Sequence, residues 1–170
     1  MSLTKSRNIS RQAPMKGVKA IGIAPYLASA TVQNTVTGVV DLPAIMAIGS
    51  IARFEVKATG NNIVETGTFD EATRTNEYVG VNTFFIPGND LPLRNELQGN
   101  SGFLKTVFIE DYNGKFYVLG SQNGCDIMTI VGGSDSQGFT VTINSKEKEL
   151  IYELTAPAIA EYVTALMPTT

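Results

Sequence analysis

The chain has 170 residues, 43% of them hydrophobic and 17% charged, with a formal net charge of −3 and no histidine. That suits one domain with a real core and room for appendages, and no apolar run is long enough to cross a bilayer. The lone Cys125 cannot form an internal disulfide, so nothing requires an oxidising compartment.

The charge is unevenly divided. Residues 1–40 hold Lys5, Arg7, Arg11, Lys16 and Lys19 and no acid, giving +5, whereas the remaining 8 basic and 16 acidic residues give −8. A basic arm (1–16) therefore precedes an acidic β domain (17–156) and a C-terminal segment (157–170). Basic arms often bind nucleic acid, but five charges spread among Ser, Asn and Gln without interleaved aromatics read as a terminal arm that is flexible or ordered by partners. Lys5, Arg7 and Arg11 also precede "VKAIGIAPYLASA", which has the outline of a secretory signal. Pro25 interrupts the apolar stretch and Lys19 enters its start, so no signal is expected.

In chain order, Gly17 to Ile23 reads as a first strand ended by Pro25, and Thr31 to Val40 as extended. Residues 44–51, "AIMAIGSI", fit a buried strand or a helix equally. Arg53 to Ala58 alternates, with Phe54, Val56 and Ala58 on one face and Arg53, Glu55 and Lys57 on the other; "TGNN" then predicts a hairpin into Ile63 to Phe69. Glu77 to Ile86 is a longer strand in which Gly80 suggests a bulge or bend. Asp90 is placed to cap a short helix through Leu97, with Pro92 in its first turn and Gly99 as its stop.

The stretch "EDYNGKFYVLGSQNG" (110–124) holds two Asn-Gly pairs. Asn113-Gly114 predicts a two-residue turn between Thr106 to Asp111 and Lys115 to Leu119. The second pair predicts another reversal into Asp126 to Val131, making a three-stranded meander. Phe139 to Asn144 alternates cleanly and is expected to pair with Glu149 to Leu154 across "SKEK"; Ala158 to Leu166 suits one or two helical turns. About ten short strands with one or two short helices mean a mainly β, antiparallel sandwich or barrel.

The search for chemistry returns absences. Without histidine the usual general base and the commonest zinc ligand are gone, and Cys125 reads as a buried structural residue. Glu110-Asp111, Asp70-Glu71 and Glu147, Glu149, Glu153 read as solvated faces or turns rather than facing acids of a cleft. "GGSDSQG" (132–138) lacks the lysine and helix of a phosphate loop and the spacing of a calcium loop, so it reads as a long turn. "NIS" at 8–10 matches a glycosylation acceptor, which means little without a secretory signal. No enzyme, cofactor or metal is expected.

The run "FFIPGND", "LRNELQGNSG", "KTVFIEDYNGKFYVLGSQNGCDI", a glycine-rich turn and "GFTVTINSKEKEL" resembles the tail tube proteins of tailed bacteriophages over about residues 15–155. Inner tubes of contractile injection systems are similar in fold. The arm "MSLTKSRNISRQ" has no counterpart in this pattern.

The resemblance implies a sandwich or barrel with one short flanking helix. Hexameric rings of it would stack into a virion tail tube, assembled from subunits made in the bacterial host cytoplasm. DNA passes through such a lumen without specific binding, and sheath, tail terminator, baseplate or tape-measure proteins are the other partners, with no membrane. A ring-forming sheet needs strands with one face on the core and one on a polar lumen. Arg53, Glu55 and Lys57, and Glu77 and Asn82, fit that pattern, and Gly60, Asn61 and Asn62 are placed to touch the next ring. The acid surplus of the body would give a lumen that repels phosphates. The alternative is a ligand- or carbohydrate-binding β-sandwich module of a tail or cell-surface accessory protein. That reading needs grouped exposed aromatics, and the absence of Trp weakens it.

Overall fold

The first expected strand is observed as β1 (Val18–Pro25), and its composition explains its place. Val18, Ile21 and Ile23 enter the main core, while Ala20, Gly22 and Ala24 make a stripe of small residues on the other face, so β1 is buried on both sides. The computed structural model describes residues 17–26, 33–34, 39–41, 50–58, 60–132, 137–148 and 150–166. Within them the chain is mainly β, an antiparallel sheet system not closed into a barrel, with two helices. The basic arm with Lys5, Arg7, Arg11 and Lys16, the "NIS" site, most of 44–51 and residues 133–136 lie outside the described residues.

After β1 come β2 (Gln33–Asn34), β3 (Val39–Asp41), β4 (Ala52–Glu55), β5 (Asn62–Asp70), β6 (Thr75–Pro87), α1 (Leu91–Asn100), β7 (Gly102–Asp111), β8 (Phe116–Leu119), β9 (Cys125–Gly132), β10 (Gly138–Glu147), β11 (Tyr152–Leu154) and α2 (Ala156–Ala165). β7 organises the rest. One of its edges pairs with β1 from Lys105 to Asp111, so β8, opposite Val107 to Glu110, and β9, opposite Gly102 and Lys105, share the other edge end to end. From there two branches diverge. One runs β9-β10-β6-β5 and the other β8-β11-β3-β2.

Three expected pairings are corrected by this topology. β4 pairs with β1 and β5 with β6, so "TGNN" does not join a hairpin; the hairpin is β5–β6, closed by Glu71 to Arg74. There is no β7-β8-β9 meander, because residues 120–124 carry the chain from β8 to the next stretch of the same β7 edge. Gly120 and Gly124 sit there at φ +73 and +80, and a Cβ on Gly120 would lie 2.7 Å from the Cys125 nitrogen. β10 and β11 also belong to different branches, so "SKEK" is not a hairpin turn.

The β7–β8 hairpin forms as expected, with a different loop. Asp111 N–H donates to the Lys115 carbonyl at 2.9 Å and Gly114 N–H to the Asp111 carbonyl at 3.2 Å, leaving Tyr112, Asn113 and Gly114 as the loop. Only Gly114 has positive φ, at +76, the geometry of a turn followed by a glycine bulge.

Asp90 caps α1 as expected, its Oδ1 accepting from Leu93 N–H at 3.1 Å, with proline in the first turn. The helix continues through Gly99, and Ser101 ends it. α2 is longer than expected, capped by Thr155, whose Oγ1 accepts from Ala158 N–H at 3.3 Å. Its buried Ala158, Tyr162 and Ala165 recur every three to four residues and form one face. That face lies on the small stripe of β1, with Tyr162 in contact with Phe108 and Phe116 at centroid distances of 5.1 and 5.4 Å. Cys125 is buried as expected, and burial pushes its thiol far above its ordinary pKa.

Candidate functional site: an open sheet face with two free edges

Strands β5, β6, β10 and β9 form a four-stranded antiparallel sheet. Strict alternation along β10 sends Phe139, Val141 and Ile143 into the core and Thr140, Thr142 and Asn144 to the other side, as the sequence predicts. The pairing then gives cross-sheet rows on the outer face. Phe85, Thr140 and Val131 form one; Asn62, Thr83, Thr142 and Thr129 the next; Val64, Val81 and Asn144 a third. The first two rows carry no charge; the third ends on Asp126, the β9 partner of Asn144, and the next row carries Lys146, paired with Glu77 at 2.9 Å. The Lys57 ammonium lies 5.8 Å from the Phe85 ring centroid.

Both edges of this sheet are free among the described residues. β5 pairs only with β6 along its whole length. β9 touches β7 only at Cys125 and Ile127, so from Met128 to Gly132 its edge away from β10 has no strand beside it. β5 contains no lysine or proline, residues that commonly blunt an exposed edge. Its Glu65 carboxylate faces inward and accepts from Ile151 N–H at 2.7 Å; burial raises its pKa, partly opposed by that hydrogen bond.

The residues expected on a lumen are dispersed. Arg53, only a quarter exposed, donates through Nη2 and Nε to Glu110 Oε2 at 2.9 and 3.1 Å, while Lys19 donates to Oε1 at 2.8 Å. Glu110 and Asp111 are therefore buried, correcting their reading as solvated acids. Burial would raise the Glu110 pKa, but the Lys19 and Arg53 hydrogen bonds outweigh it and hold the carboxyl below its usual range. Asp111 accepts from Asn113 and Lys115 N–H inside the hairpin turn.

Glu55 is exposed and meets Arg53 at 3.3 Å. Lys57 is exposed, but Ala58, expected on the core face, is exposed too. Glu77 is bound to Lys146. Asn82 overturns its assignment to a polar exposed face: it is fully buried, and neither its Oδ1 nor its Nδ2 has a partner. Gly80 is no bulge, because pairing runs through it without a shift on both sides; a side chain there would strike Ser145 Oγ.

Gly60 is exposed at φ +91. Asn61 does not present a free amide, since Nδ2 donates to the Lys57 carbonyl at 2.6 Å and Oδ1 accepts from Phe85 N–H at 3.1 Å. It stitches the segment before β5 to β6. Asn62 is exposed as the first residue of β5.

No group of three or more metal-ligating side chains occurs among the described residues, and no described helix is long and apolar enough to cross a membrane. Comparison with models of known protein families, with curated proteins and with solved structures finds no match to this chain.

Proposed function

We propose that the chain is a structural subunit that closes into rings by sheet-edge pairing, the rings stacking into a tube that conducts DNA, as in the tail tube proteins it resembles. One observation carries this reading. The four strands alternate in direction from β5 to β9, so the two free edges run antiparallel to each other. A copy rotated about an axis can then lay its β5 beside the free end of β9 in the neighbour and continue the alternation without a break. Such a contact is heterologous, and it closes when the rotation closes.

The resemblance supplies the hexameric count, the virion tail as location, and contacts with sheath, terminator, baseplate or tape-measure proteins. No catalytic step belongs to this function. Exposed Phe69 lies near the end of β5 and exposed Tyr112 in the β7–β8 turn, so they give the ligand-binding alternative no aromatic platform.

Negative-stain microscopy and sedimentation of the purified protein over a range of concentrations test the proposal. Rings or tubes are expected. A monomer at every concentration, with rings absent from the grids, would overturn it.

A further inference from the structure

Strand β4 is paired along one edge. Val56 N–H donates to the Lys19 carbonyl at 3.1 Å, and Phe54 and Ala52 stand opposite Ile21 and Ile23 on the same repeat, so their backbone groups point at β1. Arg53, Glu55 and Lys57 therefore turn their N–H and C=O groups the other way. Lys57 N–H reaches the Phe85 carbonyl on β6 at 2.8 Å, but the backbone groups of Arg53 and Glu55 have no partner among the described residues.

These two residues line a groove of about 320 Å³ between β4, the end of β6 and α1. Phe54, Ile86, Pro87 and Leu93 supply its apolar lining, and Glu55, Asp90 and Glu96, all exposed, supply acid. Arg53 does not offset them, because its guanidinium is held by Glu110. An unpaired strand edge is a template for strand addition. With α1 across the groove, a single extended segment fits where the edge of a second folded sheet would strike the helix.

We infer that the groove takes residues 3–10 of the same chain, "LTKSRNIS", as a strand added to β4. The carbonyl of Gly17 accepts from Tyr112 N–H at 3.3 Å, and a Cβ on Gly17 would lie 3.7 Å from the Ala58 carbonyl oxygen, so the basic arm joins the body beside the segment that leaves β4. Gly17 has φ +88, which lets the chain reverse there. Glu55 is three residues from Ala58, about 10 Å of extended chain, and residues 11–16 span up to about 20 Å. Residues 1–16 hold Lys5, Arg7, Arg11 and Lys16 and no acid, which complements the groove. Within 3–10, Lys5, Arg7 and Ile9 alternate with Ser6, Asn8 and Ser10, a strand period without glycine or proline. Pro14, which has no N–H to give a ladder, falls in the connection. The tether holds this segment at an effective concentration that the arm of another copy in dilute solution does not match. The added strand pairs the Arg53 and Glu55 backbone, closes an edge open to foreign strands, and seats the arm's charges on the subunit's own acids rather than on nucleic acid. The inference is independent of the ring proposal.

Amide hydrogen exchange on dilute, unassembled full-length chain tests it. The Arg53 and Glu55 amides should exchange slowly, and about tenfold faster or more in a variant carrying Ser6→Pro and Asn8→Pro, with the Val107 and Ile109 amides of β7 unchanged. A second variant, Asn8→Cys with Glu96→Cys, is treated with a short bismaleimide; native Cys125 stays out of the reaction because it is buried and its thiol is held protonated. The cross-link should form within one chain. Equal exchange of Arg53 and Glu55 in the parent and the proline variant would overturn the inference, and so would cross-links that join two chains or fail to form.

Discussion

Gly22 is the position where one added carbon should test the packing of α2 on the sheet. It lies in the middle of β1 without positive φ, so alanine fits its backbone and any loss must come from contact. A Cβ there would sit 2.7 Å from the Tyr162 hydroxyl, 2.9 Å from Tyr162 Cε2 and 3.0 Å from Ile51 Cγ2. Tyr162 cannot swing away, being 1% exposed and held against Phe108 and Phe116. Overpacking of this kind costs about 1–3 kcal/mol, and replacing glycine in a strand returns about 0.5–1 kcal/mol. The difference runs from about 0 to 2.5 kcal/mol, and with Tyr162 unable to yield Gly22→Ala should fall in its upper half, read as a fall of about 2–4 °C in Tm per kcal/mol for a chain of this size.

The Tyr162 hydroxyl has no hydrogen-bond partner and is the nearest obstacle, so Tyr162→Phe alone should be neutral or slightly stabilising. Together the two changes should lose less than their sum by at least about 0.5 kcal/mol, since removing the oxygen relieves the shortest contact. Denaturant unfolding of the four proteins closes the cycle. Strict additivity would refute the claim that α2 is seated through Tyr162 on Gly22.

Two further substitutions probe a turn and a half-buried carboxylate. Gly114 has φ +76 with nothing within 4 Å of its missing Cβ, so Gly114→Val should be destabilised by backbone strain alone, by about 1–3 kcal/mol; an unchanged thermal midpoint would remove the glycine-bulge turn. Glu147 accepts from Gln122 and Asn123 N–H, yet burial, the larger influence, raises its pKa above the ordinary 4.5. A raised folded-state pKa gives stability that is complete below the ordinary value and lost as pH rises through the raised one. Glu147→Gln should flatten that decline, and a pH–stability curve identical to the parent's between the ordinary glutamate value and neutrality would show that Glu147 does not cause it.

What could be read from the sequence was whatever local chemistry decides. The alternation of β10, the Asp90 cap and the reversal at Gly114 each depend on residues within a few positions of one another, and each is present. Strand partners were hidden, because a glycine turn says that the chain bends and not what the next segment will pair with. Asn123-Gly124 bends the chain along one edge of β7, and "SKEK" passes it between branches. The true β5–β6 turn escaped because "EATR" has no Gly, Pro or Asn. Its signal is Asp70, whose Oδ1 accepts from Ala72 and Thr73 N–H, followed by Arg74 at φ +53.

The misplaced charges explain why the candidate surface was missed. Alternating Arg53, Glu55 and Lys57 resemble a polar wall, but β4 spans only four residues and pairs with β1 rather than with a strand of the open sheet. Its arginine is drawn to Glu110, which is 57 residues away in sequence and also holds Lys19, so the three side chains clasp β4, β7 and β1 beside α2. Ionic groups bound in this way serve the subunit internally, and those at the sheet margin, such as Lys146 with Glu77, are also paired. What sets the open sheet apart is scarce charge: two rows of neutral side chains and a third that ends on Asp126, between edges that have no strand beside them among the described residues. A search for charged motifs passes over such a surface, because threonine and valine at alternate positions mean only "strand" until the register across four strands is known.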